Sequence, residues 1–115
     1  MTDATEKPFL GHVMLHSLAW PHRRAEVGYA MNRHYWGRGL ATEAVLGVVG
    51  FAFRELGLNR VQAIVLPDNI GSTRVLEKAG MQREGLLRKY QYVLGDYWDV
   101  YMYGLLRSDW EAAGA

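Results

Sequence analysis

The sequence predicts a mixed α+β domain in which helices pack on a central β-sheet. Some segments repeat apolar residues with a period of two, as strands do, and others with the helical period of 3.6. The two kinds of segment follow one another in the order β-β-α-β-α-β-β-α. The strand–helix–strand part of this order should make two central strands parallel, and the flanking pairs should be antiparallel. A chain of 115 residues is long enough for a single domain, spanning residues 1–115, with one core.

Two strands open the predicted sheet. Residues 1–8 are polar, and we expect them to be disordered. Residues 9–15 are rich in β-forming side chains and predict the first strand. After a turn at 20–24, side chains alternate over 25–31, which indicates a second strand with Glu26 on the face opposite Val27.

The middle of the chain predicts two helices with a buried strand between them. From residue 40 a helical face carries the apolar residues Ala41, Ala44, Val45, Val48, Val49 and Ala52. Gly57 is expected to end this helix. Residues 61–66 are almost wholly apolar, as in a strand that is buried on both faces. Asn69 is a good N-cap for a second helix over 70–79, which Gly80 ends.

The last third of the chain predicts a hairpin and a short helix. Residues 86–94 and 100–106 have the composition of strands, and Gly95 and Asp96 between them are typical of a hairpin turn. Ser108 followed three residues later by Glu111 predicts a capping box at the start of a terminal helix.

Composition excludes several classes of function. A net charge of +1 without a basic stripe argues against a nucleic-acid-binding protein. The absence of cysteine excludes disulfides and a cysteine nucleophile, and fits a cytoplasmic location. The longest apolar stretch, 44–53, is too short to cross a membrane. His12 and His16 would lie about 13 Å apart on one face of a strand, so no metal site is expected.

The most informative segment is 35–43, between the second strand and the first helix. A helix N-terminus presents unpaired N–H groups and a partial positive charge, a geometry that binds phosphate. Gly37 and Gly39 let the backbone approach a ligand, and Arg38 adds a cation. Thr42 stands where the dinucleotide fingerprint needs a third glycine, and the Lys-Ser/Thr pair of a P-loop is missing. Taken alone, the Gly-Arg-Gly run is a weak signal, because a tight turn without a ligand also explains it.

A longer comparison of motifs points to one family. Residues 26–31 and 34–44 read Glu-Val-Gly-Tyr-Ala-Met and His-Tyr-Trp-Gly-Arg-Gly-Leu-Ala-Thr-Glu-Ala. Together they resemble motif A of the GNAT superfamily of N-acetyltransferases. The motif glycines match Gly37 and Gly39, whereas His34 stands where glutamine or arginine is usual.

Two further blocks strengthen this resemblance. Residues 69–81 are similar to the family pattern Asn-x-x-Ser-x-x-Val-Leu-Glu-Lys-x-Gly-Phe, with Met81 in place of the aromatic residue. Residues 95–110 resemble the closing strand and tail of the ribosomal-protein-alanine acetyltransferases RimJ and RimL. The three blocks occur in the family's order and cover about 26–110.

The resemblance implies a splayed sheet with acetyl-CoA wedged between the second and third strands. Backbone amides near Ala30 or Met31 would face the thioester. The loop at 35–43, with Trp36 packed beneath it, would hold the diphosphate, and Asn69 would lie near the thiol. The implied cofactor-binding residues are Ala30, Met31, Trp36, Gly37, Arg38, Gly39, Leu40, Ala41, Thr42 and Asn69.

Acetyl transfer to an amine needs a base for the amine and an acid for the departing thiolate. Many relatives place a tyrosine seven residues after the asparagine, but this chain has Leu76 there. The resemblance to the RimL-like branch implies Ser72 as the acid, and the alternative is that Ser72 only satisfies the first turn of its helix. Glu26 and Asp99 are the candidates for the base, and each could equally be a solvated carboxylate at a sheet edge.

The resemblance therefore implies an acetyl-CoA-dependent N-acetyltransferase, without a metal, that acts on a protein N-terminal amine or a small amine. Full-length relatives begin with a strand and two helices that wall the acceptor pocket, and this chain is expected to lack them. Completion of the pocket by a homo-oligomer is therefore a further expectation. Two alternatives are a protein that binds acetyl-CoA without catalysis and a fragment in which the glycine loop is only a turn.

Overall fold

The computed structural model describes residues 11–31 and 39–114, and the elements in this range follow the predicted order. The expected disorder of 1–8 falls outside these residues. The strands are β1 (Gly11–Ala19), β2 (Arg24–Met31), β3 (Arg60–Val65), β4 (Gln82–Val93) and β5 (Asp96–Leu106). The α-helices are α1 (Leu40–Arg54), α2 (Ile70–Lys78) and α3 (Arg107–Ala112). No helix in the described ranges is long and apolar enough to span a membrane.

The strands form one mixed sheet in the spatial order β1-β2-β3-β5-β4. The β2–β3 pair is parallel, and the β1–β2 and β4–β5 pairs are antiparallel, which confirms the predicted directions. The β3–β5 pair is also antiparallel. The position of β5 between β3 and β4 was not predicted. After α2 the chain forms β4 at the edge of the sheet. The hairpin then places β5 between β4 and β3.

The parallel strands β2 and β3 pair over only three residues each. Their register runs from Arg24 opposite Arg60 to Glu26 opposite Gln62. Beyond this point β2 continues to Met31 and β3 continues to Val65 without pairing with each other. The two strands therefore diverge and leave a wedge-shaped opening in the middle of the sheet, as the predicted splay requires.

The core lies between one face of the sheet and the helices α1 and α2. Alternate residues of β3 are buried, and the side chain of Val61 is fully buried. They join side chains from both helices, such as Phe53 and Leu76, in a single apolar cluster. The intervening residue Gln62 belongs to the opposite face of the sheet, together with Glu26. The opening between β2 and β3 thus connects the helix-covered face with the other face.

Helix α1 ends as its sequence predicts. Gly57 adopts a left-handed φ of 67°, and the N–H of Leu58 bonds back to the carbonyl of Ala52 at 3.1 Å. A glycine in this conformation satisfies late carbonyls of the helix without a steric penalty on a Cβ.

Several strand boundaries differ from the predictions. β1 extends to Ala19 rather than residue 15, and β4 and β5 begin at Gln82 and Asp96 rather than at 86 and 100. Register shifts interrupt β1 and β4, and β4 is an exposed edge strand rich in charge, so neither shows a clean alternation of apolar residues. The predicted hairpin is present, but its turn lies at Leu94 and Gly95, which both have positive φ.

The predicted capping box of the last helix is wrong. Helix α3 begins at Arg107 after Leu106, so Ser108 lies inside its first turn. Asp109 takes the reciprocal role, since its carboxylate accepts a hydrogen bond from the N–H of Leu106 at 3.4 Å. The chain leaves β5 directly into this helix, so an apolar residue occupies the N-cap position.

Leu58 offers a test of the core packing, because its side chain is fully buried at the junction of α1 and β3. We expect Leu58→Ala to lower the free energy of unfolding by about 2–5 kcal/mol through lost burial and a residual cavity. Leu94→Ala is the matched control, since Leu94 is 97% exposed, and should change it by less than about 0.5 kcal/mol. Urea unfolding measures both, and equal losses would contradict the packing.

Candidate active site

The opening between β2 and β3 forms a cavity of about 330 Å³, which we call the slot. Its walls are β2 from Glu26 to Tyr29, the second half of β3, and the start of α2. His16 of β1 and Gln91 of β4 complete its rim. The slot therefore exists because the ladder between the two parallel strands stops at Glu26 and Gln62.

Three of the predicted site residues meet at this slot. Glu26, Asn69 and Ser72 all line it, although they come from β2 and from the N-terminal end of α2. Glu26 is in the last residue pair before the strands diverge, and Asn69 and Ser72 begin the helix that follows β3. The parallel arrangement brings the two segments together across the opening.

Asn69 caps helix α2, as predicted. Its Oδ1 accepts a hydrogen bond from the N–H of Ser72 at 3.1 Å. This bond satisfies one of the first-turn N–H groups that have no acceptor within the helix. The cap is therefore made by Asn69, and the partly buried Ser72 lines the slot.

Tyr29 ties the two walls of the slot together. Its hydroxyl donates a hydrogen bond to the carbonyl of Ser72 at 3.2 Å, from β2 to α2. Burial raises the pKa of Tyr29 above 10.0, and a hydrogen bond with the side chain of Ser72 offsets part of this shift. The sequence predicted only the strand that carries Tyr29, because a contact between residues 43 positions apart leaves no local pattern.

Glu26 is held on the other face of the sheet. The side-chain amide of Gln62 donates to its Oε1 at 3.4 Å, and Nε2 of His16 lies 3.9 Å from its Oε2. The Glu26 side chain is 15% exposed, so it is largely enclosed yet borders the slot. Its carboxylate is the only acidic side chain on the wall of this cavity within residues 11–31 and 39–114.

Asp99 is placed away from the slot, in a separate surface depression. Its Oδ1 accepts a hydrogen bond from the N–H of Lys89 at 2.8 Å, where the register of β4 shifts and Lys89 has a φ of 51°. Gln91, which follows this irregularity, reaches the slot. In this structure Asp99 therefore supports the shape of β4, and through it the position of Gln91.

The start of α1 has the features of an anion site. Gly39, the N-cap residue, adopts a φ of 79° and has no side chain that could cap the helix. The first helical bond runs from the N–H of Glu43 to the carbonyl of Gly39 at 3.0 Å, so the N–H groups of Leu40, Ala41 and Thr42 have no acceptor within the helix. These donors and the positive end of the helix dipole favour a bound anion.

A depression of about 110 Å³ lies at this helix end, between α1 and α2. Gly39, Ala41 and Thr42 line one side, and the exposed basic residues Arg74 and Lys78 line the other. Neither of these two cations was among the predicted site residues. Their spacing of four places them on one face of a helix, and that is the signal that could have identified them.

The remaining predicted cofactor contacts are only partly described. Trp36, Gly37 and Arg38 lie outside the described residues. Ala30 and Met31 end β2 and pair with β1, beyond the last residue of β2 that pairs with β3. Their backbone therefore belongs to the diverging part of the strand, where the predicted thioester contact requires it. In the ranges 11–31 and 39–114 no cluster of three potential metal ligands occurs.

Comparison with known proteins gives a consistent result. A family model described as an acetyltransferase (GNAT) domain matches residues 1–82. The uncharacterized N-acetyltransferase YoaA of Bacillus subtilis is 42% identical over 101 residues, which are 88% of this chain and 57% of that protein. The chain thus spans little more than half the length of this relative.

Solved structures show the same fold. The ribosomal-protein-S5-alanine acetyltransferase of Vibrio fischeri superimposes with a TM-score of 0.84 at 29% identity, over 95% of this chain and 60% of that one. The spermidine/spermine N-acetyltransferase SpeG of Vibrio cholerae gives a TM-score of 0.83 at 25% identity, over 98% and 68%. Both support the mixed α+β architecture described above.

Tyr29→Phe tests the bridge across the slot. Loss of the hydroxyl removes the bond from Tyr29 to the Ser72 carbonyl, so we expect a loss of about 0.5–1.5 kcal/mol in unfolding free energy at pH 7. Because the pKa of Tyr29 is raised above 10.0 in the folded state, the unfolded chain releases this proton first as the pH rises. The difference in unfolding free energy between the parent and the variant should therefore have its full value below pH 10 and decrease above it. Unfolding curves at neutral and alkaline pH measure this, and a difference that does not vary with pH would contradict it.

Proposed function

Because the chain belongs to the GNAT acetyltransferase family, we propose that it transfers an acetyl group from acetyl-CoA to a primary amine. The observation that supports this most strongly is the pairing of an anion site with the slot. Helix α2 borders both, since Gly71 lines the depression at α1 and its neighbour Ser72 lines the slot. One ligand with a diphosphate and a long thiol arm would fit this arrangement.

The diphosphate of acetyl-CoA binds at the start of α1. The backbone N–H groups of Leu40, Ala41 and Thr42 donate to it, and Gly39 permits the turn that aims them. Arg74 and Lys78 supply positive charge from α2. By resemblance to the family motif, Trp36, Gly37 and Arg38 complete this loop.

The thioester end enters the slot. A backbone N–H of the diverging part of β2, at Ala30 or Met31, faces the acetyl carbonyl and stabilises the oxyanion that forms when the amine attacks. Asn69 lies beside the arm near the sulfur, since its cap uses Oδ1 and leaves the side-chain amide group for a ligand.

Ser72 acts as the acid that protonates the departing thiolate. Its N–H is bonded to Asn69 and its carbonyl to Tyr29, so its backbone is fixed by contacts on both sides. Its hydroxyl takes part in neither bond and lines the slot. A hydroxyl held in this way can donate a proton at a defined position.

The acceptor amine approaches from the face of the sheet that carries Glu26. The Glu26 carboxylate attracts the ammonium form of the acceptor and assists its deprotonation. Of the two carboxylates predicted as base, only Glu26 borders the slot, whereas Asp99 is bonded to the backbone of β4. Asp99 acts indirectly, by holding the strand that positions Gln91.

The acceptor is a protein N-terminal α-amine or a small amine. Two structural neighbours are named for these two classes, a ribosomal-protein-alanine acetyltransferase and a spermidine/spermine acetyltransferase. At pH 7 roughly one in ten α-amines is neutral, but fewer than about one in a thousand amines of the lysine type, given ordinary pKa values of about 8 and about 10.4. An α-amine therefore demands less of the base, and a polyamine would depend more on the acceptor-side carboxylate.

Double substitution of Arg74 and Lys78 by alanine tests the anion site. We expect acetyl-CoA binding to weaken about 10- to 100-fold, because hydrogen bonds to charged groups contribute about 1.5–3 kcal/mol. Arg88→Ala is the matched control, as Arg88 is an exposed cation on β4 away from both cavities. Calorimetric titration measures the affinities. Absence of binding in the parent, or equal affinity in parent and double variant, would count against the site.

Thiol release tests transfer itself. The parent should release CoA thiol with at least one amine from a panel of N-terminal alanine and serine peptides, polyamines and aminoglycosides. Ser72→Ala should lower kcat by about 10²- to 10⁴-fold, with an unchanged dissociation constant for acetyl-CoA. An unchanged kcat would return Ser72 to a structural role in its helix. If the parent binds acetyl-CoA but transfers to no amine, binding without catalysis is the better account.

A further inference from the structure

His16 and Glu26 form a pair on the acceptor side of the slot. They are directly opposite in the antiparallel register of β1 and β2, and both line the cavity. Nε2 of His16 lies 3.9 Å from Oε2 of Glu26. The His16 side chain is 41% exposed and that of Glu26 is 15% exposed, so the pair leads from solvent into the slot.

The orientation of His16 is supported from two sides. Its Nδ1 lies 2.9 Å from the hydroxyl of Ser17, which has a φ of 54° where the register of β1 shifts. Such irregularities re-aim side chains and occur often beside active sites. Gly28 leaves room for the ring, since a Cβ at that position would lie 3.3 Å from Nε2 of His16.

The separation within the pair suits an atom placed between them. A distance of 3.9 Å is too long for a direct hydrogen bond, yet one nitrogen or oxygen atom can bond to both partners. When Nδ1 of His16 donates to Ser17, Nε2 presents its lone pair. A primary ammonium carries three N–H donors and so can bond to this lone pair and to the carboxylate together.

We infer that His16 is the general base for the acceptor amine, and that Glu26 holds the charge of the pair. This inference rests on the proposed acetyl transfer. The ammonium donates to both groups and passes one proton to Nε2 of His16. The neutral amine then attacks the thioester, so that its N–C bond forms while the C–S bond breaks. The second amine proton goes to the leaving thiolate through Ser72, and the imidazolium returns its proton to water.

The charges around His16 favour this role. The ionisable side chains that line the slot with it, among the described residues, are Glu26 from β2 and Tyr29 from the same strand. β3, α2 and β4 contribute apolar or uncharged groups to the wall, among them Ser72 and Gln91. Among the described residues that line the slot, the carboxylate of Glu26 therefore faces His16 without an opposing cation. An imidazole is also better matched than a carboxylate to an amine that must lose its proton near neutral pH.

The test compares His16→Gln with the parent, using His22→Gln as the matched control because His22 is exposed on the turn after β1. His16→Gln should lower kcat/KM by about 10²- to 10⁴-fold with unchanged affinity for acetyl-CoA. It should also abolish the acid limb of the pH profile of kcat/KM, which a merely structural role would not do. His22→Gln should keep the rate and the profile of the parent.

An active parent whose rate and pH profile survive in His16→Gln would overturn the inference and leave the proposed function intact. A parent that transfers acetyl to no amine would contradict both the inference and the proposed function. Imidazole nitrogen NMR of the unsubstituted chain provides a readout that does not depend on how the variant folds. With CoA present, saturation with the best acceptor of the amine panel should shift the Nε2 signal of His16 and not that of His22. An unmoved His16 signal would also overturn the inference.

Discussion

The structure depends on the early end of one ladder, the parallel pairing of β2 and β3. The two strands pair through Glu26 and Gln62 and then diverge. Buried backbone groups must find partners, and strands that do not pair with each other leave theirs for another molecule. A linear ligand with amide groups, such as the thiol arm of CoA, supplies such partners while it lies in the plane of the sheet. The same gap that weakens the sheet therefore creates the site.

Helix α2 relates the two ends of the site to each other. One side of this helix contributes Ser72 to the slot. The adjacent side contributes Arg74 and Lys78 to the depression at the start of α1. The cap at Asn69 and the bond from Tyr29 to the Ser72 carbonyl fix where this helix begins. The position of the proposed acid thus depends on contacts from β2 as well as on its own helix. This coupling explains why a tyrosine that does no chemistry itself matters to the geometry.

Local pattern was enough to predict the element order, the parallel pair and the helix caps at Asn69 and Gly57. The splay, the cofactor and the role of Ser72 came from resemblance to a family, since no periodicity reveals where a ladder stops. Residues whose importance depends on register were missed. His16 is significant only because it is opposite Glu26, and Tyr29 only because it reaches Ser72. Asp99 was singled out on its chemistry, yet its carboxylate is engaged with the backbone of Lys89.

The most direct test of the central claim is a crystal structure of this chain with acetyl-CoA. The account predicts a thiol arm lying between residues 27–31 of β2 and 63–65 of β3, with its amides bonded to those strands and its diphosphate at the N–H groups of 40–42. The acetyl carbonyl would then lie between Ser72 and the Glu26 face. A ligand bound elsewhere, or a continuous β2–β3 ladder that closes the slot, would contradict the account.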